Sequence, residues 1–209
     1  MHAGFLAATF ILFAGAAAAQ APVQGKARHT SDWPCVAIKV PEISLAAVWS
    51  GPPLDGIQPA QWRDDAETSV LVARLAARRT PQAEAEQAIA DFAKAAGAAR
   101  KERLLVLYAG LFNSLAQERA QVVAGLDRFG KRQKELADQV RAEAAAMRAL
   151  QDAPDTDPAK FEATVNQLTW DMRIFEDKRK SVGFVCETPV LIEQRLFALG
   201  RAVMASLED

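Results

Sequence analysis

Apolar side chains recur in steps of three and four over most of the chain, most densely between Ala98 and Gln151. There Leu104, Tyr108, Leu111 and Leu115 share one helical face. After a polar gap at Glu118 the stripe resumes through Val122, Leu126, Phe129, Gln133, Leu136, Val140, Met147 and Leu150. Alternating steps of four and three are the mark of a heptad seam, so about 117–150 predicts a coiled-coil-like helix. The added four-residue step from Val122 to Leu126 is a stutter, which locally unwinds a supercoil. Gly110, Gly125 and Gly130 each cost about 1 kcal/mol relative to Ala, and a kink is expected near Gly125–Gly130. The run Ala153-Pro154-Asp155-Thr156-Asp157-Pro158 is the strongest turn signal, with Asp157 as cap and Pro158 as first helical residue. The next face, Phe161, Val165, Leu168, Met172 and Phe175, has the same spacing. Two seams joined by a short turn predict an antiparallel helical hairpin over about 98–187.

The flanking segments are helical too. Asp64 and Asp65 precede a face of Leu71, Val72, Leu75 and Ala76, with Arg74, Arg78 and Arg79 placed to complement the helix dipole at its end. Thr80-Pro81 reads as N-cap and first residue of a helix with Ala85, Ala88, Ile89, Phe92 and Ala96 inward and Gly97 as its stop. Thr188-Pro189 opens a last helix with Ile192, Leu196, Leu199 and Val203 inward. No alternating pattern of useful length argues for a sheet. The expected fold is all-α, a helical bundle built on the long hairpin, as a single domain over 33–209.

The N-terminal quarter breaks this pattern. Trp33 to Pro59 is Pro-rich and irregular, with Val36–Val40 as a short extended piece and Pro41–Trp49 as a two-turn helix stopped by Gly51. Residues 20–32 are small and polar and read as a flexible leader. Ahead of them, Ala3 to Ala19 carries no charge and no Pro, is strongly apolar from Phe5 to Phe13, and ends in Ala17-Ala18-Ala19. That is a signal peptide, 1–19, with cleavage before Gln20. The n-region departs from the pattern, since Met1 and His2 supply no Lys or Arg. The rival reading is a retained anchor, but the apolar run is shorter than the roughly 20 residues that span a bilayer. After cleavage no integral membrane segment is expected. The Ala-rich signal predicts a periplasmic or secreted protein.

Composition narrows the function classes. Twenty-five basic and 26 acidic residues leave a net charge of −1, which argues against a dedicated nucleic-acid binder. Two Cys and two His are too few for a zinc cluster or a multi-bridge scaffold. In an oxidising compartment Cys35 and Cys186 are expected to pair. Closing a loop of roughly 150 residues would contribute at most about 5 kcal/mol in the chain-entropy model. A redox-active pair is the competing reading, but neither Cys has a Cys-x-x-Cys partner or a flanking His. His29, alone in the leader, cannot build a metal or haem site.

Two clusters are candidate surfaces. Trp33, Trp49 and Trp62 fall within thirty residues of Pro-rich sequence, with Asp32, Asp64 and Asp65 beside them. They either anchor irregular chain on the helical core or line an aromatic ligand pocket. Arg128, Lys131, Arg132 and Lys134 form a basic patch that either receives an acidic partner or is a solvated face with the pairs Lys131–Glu135 and Lys134–Asp138. No Gly-rich phosphate loop, HExxH, GxSxG elbow or calcium loop is present. No cofactor and no catalytic constellation is expected. The leading expectation is a non-enzymatic interaction or scaffolding protein of the cell envelope, binding a protein partner or a second copy through the hairpin. The alternative is a small-ligand module using the Trp-rich segment 33–62.

Overall fold

The computed structural model describes residues 32–208; the expected signal peptide, His29 and all of the expected leader except Asp32 lie outside them. The described chain is all-α and contains no strand. Its helices are α1 (Leu45–Val48), α2 (Ala66–Ala76), α3 (Gln82–Ala96), α4 (Arg100–Asp152), α5 (Pro158–Cys186) and α6 (Thr188–Glu208). Helix α4 has 53 residues and at 1.5 Å per residue is about 80 Å long. It runs unbroken through Gly125 and Gly130.

The inward faces read from the sequence form the core. Val72 and Leu75 of α2, Ile89 and Phe92 of α3, Leu104, Leu111 and Leu115 of α4, and Ile192, Leu196, Leu199 and Val203 of α6 meet in one cluster. Burying each such side chain stabilises the fold by about 1.5–3 kcal/mol. Close approach sets two of the glycines in α4. A Cβ at Gly110 would lie 2.8 Å from the Trp62 indole and from Val72, and one at Gly130 would collide with the Asp32 carbonyl. Gly97 ends α3 at φ +54, a conformation that favours glycine.

The turn signals hold at the hairpin. Asp157 caps α5 by accepting from the Ala159 N–H, and Pro158 is its first residue. Asp65 caps α2 by accepting from the Glu67 and Thr68 N–H groups. Elsewhere local expectation yields to tertiary contact. Thr80 does not cap α3. Its hydroxyl donates 2.7 Å back to the Arg74 carbonyl, closing the end of α2, and Arg78 and Arg79 fall beyond that helix. The helix expected over Pro41–Trp49 shrinks to the single turn α1. Ser44 makes no side-chain cap, and Trp49 leaves helical geometry to stack on Tyr108. Val36–Val40 is not a strand; the chain bends at Cys35–Ala37 and no neighbouring strand exists to pair with it.

The hairpin outruns the bundle. Helix α6, 21 residues long, covers about 30 Å and packs on the N-terminal half of α4. Beyond Gly130, α4 contains no buried residue; α5 runs beside it, joined by the Gln133–Phe175 and Gln139–Asp171 hydrogen bonds, and Lys134 faces Asp32. Leu136, Val140, Met147 and Leu150 are half-buried in that seam. On α5, Met172 turns outward and Asp171 takes the expected inward position. Asp171 accepts from Gln139 at 3.2 Å and from Gln167 at 2.6 Å, which pairs its register with the middle of α4.

Candidate functional site

The Pro-rich segment is strapped to the base of the hairpin. Cys35 and Cys186 are bonded, with their Cα atoms 5.6 Å apart, joining the segment to the last residue of α5. Lys39 pairs with Asp127 at 2.7 Å. The third fastening is Arg119, which the sequence reading passed over as part of a polar gap. Its side chain is 4% exposed. Nε donates to Glu193 at 2.6 Å, Nη2 to the Val40 carbonyl at 2.9 Å and Nη1 to the Pro41 carbonyl at 3.2 Å. Arg119 follows Leu115 by four residues, so an arginine at a seam position was the available signal.

The three tryptophans do not converge. Trp33 is half-buried near Gly130 and donates its indole N–H to the Ala37 carbonyl at 2.7 Å. Trp49 stacks on Tyr108 with ring centroids 4.0 Å apart and donates to the Pro52 carbonyl. Burial pushes the Tyr108 phenol above its ordinary pKa, and its hydroxyl donates to the Val48 carbonyl at 2.9 Å. Trp62 packs on Gly110, donates to the Pro59 carbonyl and carries the Arg63 guanidinium over its ring at 4.2 Å. Gly110 and Gly130 are twenty residues of helix apart, about 30 Å, so Trp33 and Trp62 share no pocket. Each indole serves as a packing anchor with its N–H satisfied locally.

Of the acids beside the tryptophans, Asp64 is exposed, Asp32 faces Lys134 at 4.0 Å and Asp65 is committed. Asp65 accepts from the Thr68 hydroxyl at 2.5 Å and from Arg103 at 2.8 Å. The Thr68 hydroxyl first, and Arg103 second, hold its carboxyl down at about 2. Arg195 spreads its guanidinium over the Leu75 and Thr80 carbonyls and so caps the end of α2; burial lowers its pKa.

No protein-family model, curated protein or solved structure matches this chain. What the molecule offers a ligand is therefore read from its own surface. Among the described residues no group of three or more His, Cys, Asp or Glu side chains is placed to hold a metal ion, and no helix is long and apolar enough to cross a membrane.

Arg128, Lys131 and Arg132 are exposed on α4 where the hairpin leaves the bundle. The pairs expected within this patch do not form. Lys134 faces Asp32 at 4.0 Å, and Asp138 pairs with Arg141. Two apolar grooves flank the C-terminal end of α5. One, of about 650 Å³, holds the disulfide, with Val36, Val182, Val190 and Leu191 in its walls and Arg179 and Glu187 at its rim. The other, of about 340 Å³, lies between α4 and α5 among Val122, Leu126, Phe129, Val182 and Val185. Farther along α5, Trp170 is 60% exposed and Met172 is 50% exposed. Phe184, on the same helix, is 79% exposed; isolated apolar side chains of this kind are ordinary on a surface. Trp170, outside the Pro-rich window, was not singled out from the sequence.

Proposed function

We propose that the protein is an exported, non-enzymatic interaction protein of the cell envelope, whose two-helix arm is the element that meets its partners. The observation that carries this reading is the arm itself. From Lys131 to Asp152, α4 runs beside α5 with Lys134 facing Asp32; its seam is half-buried, and Trp170 stands out from the opposite helix. A domain selected only for stability gains little from two helices extending about 30 Å beyond their core. A binding element gains reach and surface. The apolar leader with its Ala-x-Ala end supports export, and the Cys35–Cys186 pair fits an oxidising compartment.

In-cell photo-crosslinking tests the reading. A photoreactive residue placed at Ala142 or Trp170 on the arm, and at Gln87 on the bundle as control, is activated in cells producing the full chain. Arm positions are expected to give discrete protein adducts, whether to a second copy or to another protein, and the Gln87 position none. Adducts absent from the arm, or equally strong from Gln87, overturn it.

A further inference from the structure

We infer that the two-helix arm is hinged on the bundle at two glycines, Gly125 in α4 and Gly183 in α5, and swings there as one lever. The inference concerns the motion of the arm and stands whether or not the arm meets a partner.

The pairing of the two helices sets these glycines at one level. Helices α4 and α5 run antiparallel, and Gln133 donates to the Phe175 carbonyl at 2.9 Å. Gly125 lies eight residues before Gln133, and Gly183 eight residues after Phe175. Both helices therefore lack a side chain at the same height, about 12 Å from that bond on the side of the bundle. Packing asks for neither glycine. A Cβ at Gly183 would meet nothing within 4 Å, and one at Gly125 only the Arg128 guanidinium at 3.8 Å. Gly110 and Gly130, by contrast, are held by close neighbours. A glycine inside a helix weakens it about fivefold in the local helix–coil equilibrium relative to alanine, and it is one of the few places where helices bend sharply. Two such glycines, free of any steric reason and level with each other, form a joint.

The surroundings of the pair suit a joint. On the arm side the Gln133–Phe175 and Gln139–Asp171 hydrogen bonds hold the two helices to each other, so the arm moves as one piece. On the bundle side Arg119 ties α4 to Glu193 of α6, and Cys186, three residues past Gly183, is bonded to Cys35. Between these fixed points lies the unfilled 340 Å³ groove, with Gly125 in its wall. A close-packed junction would resist bending, whereas open space lets side chains shift without overlap. The strap runs on another face of α4. Gly130, against which the Asp32 carbonyl packs, is five residues from Gly125, about 140° round the helix. The strap is held by Arg119 and Cys186 on the bundle side of the glycines, and Asp32 meets Gly130 and Lys134 on the arm side. It therefore spans the joint and limits the swing. From Gly125 to Asp152 the lever is about 40 Å long, so a bend of about 20° carries its tip about 14 Å.

Pulsed dipolar spectroscopy on the full, disulfide-intact protein in frozen solution tests this. Spin labels are carried on noncanonical residues at Arg148 on the arm and Gln87 on the bundle, both exposed. The parent is expected to show arm–bundle distances spread over about 10 Å or more. The double variant Gly125→Ala with Gly183→Ala is expected to narrow that spread by about half or more, with an unfolding temperature no lower than the parent's. Adding Ala124→Gly to the double variant returns a glycine to the same turn of α4 and is expected to restore much of the spread. Should one of the two alanines lower the unfolding temperature, the other alone is measured. A parent with one narrow distance, alanine variants as broad as the parent, or a spread that Ala124→Gly does not restore overturns the inference. None of these outcomes bears on whether the arm gives adducts in cells, so the hinge and the proposed function fail separately.

Discussion

Arg119→Met is the most informative single change to the fold. It keeps a long apolar stem at a seam position and removes the guanidinium, which is 4% exposed and serves three acceptors. A hydrogen bond from a charged donor contributes about 1.5–3 kcal/mol where its acceptor is sealed from water. Here none is fully sealed. The Glu193 side chain is 36% exposed and residues Val40 and Pro41 are exposed, so water replaces part of what is lost. The Glu193 charge, partly desolvated beside an apolar seam, is left without its cation, which costs less than the 3–5 kcal/mol of a fully buried pair. The net expectation is about 2–3 kcal/mol of destabilisation, seen as a fall of roughly 5–10 °C in unfolding temperature for a domain of this size. Arg119→Lys should lose most of the same amount, because one ammonium cannot span a carboxylate and two carbonyls. Chemical denaturation of Arg119→Met, Glu193→Gln and the double variant measures the coupling. If Arg119→Met unfolds within about 0.5 kcal/mol of the parent, the arginine does not fasten the strap and the account of this junction is wrong.

Four further expectations follow from the same residues. Non-reducing peptide mapping should link Cys35 to Cys186, and replacing both with Ala should cost at most about 5 kcal/mol in denaturant; two free thiols in the native compartment would end the structural reading. Leu136→Asp, in a half-buried seam position, should destabilise by about 1–3 kcal/mol while the exposed Arg132→Glu stays near zero by thermal melting. N-terminal sequencing of exported protein should begin at Gln20, and a mature chain that still carries Phe5–Phe13 would refute signal cleavage. Asp65, held at about 2 in the folded chain, contributes stability that is present above the ordinary carboxylate range and is lost as pH falls through about 2. Asp65→Asn should flatten the acid limb of the stability–pH profile, and an unchanged limb would show that the Thr68 and Arg103 contacts do not persist in solution.

Much of the helical frame was legible because it is written in one period. Ile192, Leu196, Leu199 and Val203 repeat on a single face and bury on it; Asp157-Pro158 and Gly97 stop and start helices by local backbone chemistry alone. What failed to read is non-local. A heptad allows a step of three or four after Leu168, and hydrophobicity chose Met172, whereas the fold took Asp171 because Gln139 and Gln167 wait there with amide donors. Sequence proximity grouped Trp33, Trp49 and Trp62, yet Trp49 is placed by Tyr108 and Trp62 by Gly110, while Trp33 bonds within its own segment to the Ala37 carbonyl. Thr80 looks forward as a cap to any local rule and turns backward because the Arg74 carbonyl is within reach.

The polar interruptions of the α4 stripe explain why a seam so long has one register. A repeat of apolar residues at a and d tolerates sliding by a heptad, since each knob finds an equivalent hole. Arg119 and the Gln139–Asp171 contact break that equivalence. Sliding α5 by seven residues would set Asp171 beside Arg132 or Ala146 in place of Gln139, and sliding α6 likewise would part Arg119 from Glu193. A slip that sets Asp171 beside Ala146, or parts Arg119 from Glu193, leaves a charge without its partner, which costs more than the difference between two apolar fits. Arg119 fixes the strap, and the Gln139–Asp171 and Gln133–Phe175 hydrogen bonds fix the register of the hairpin.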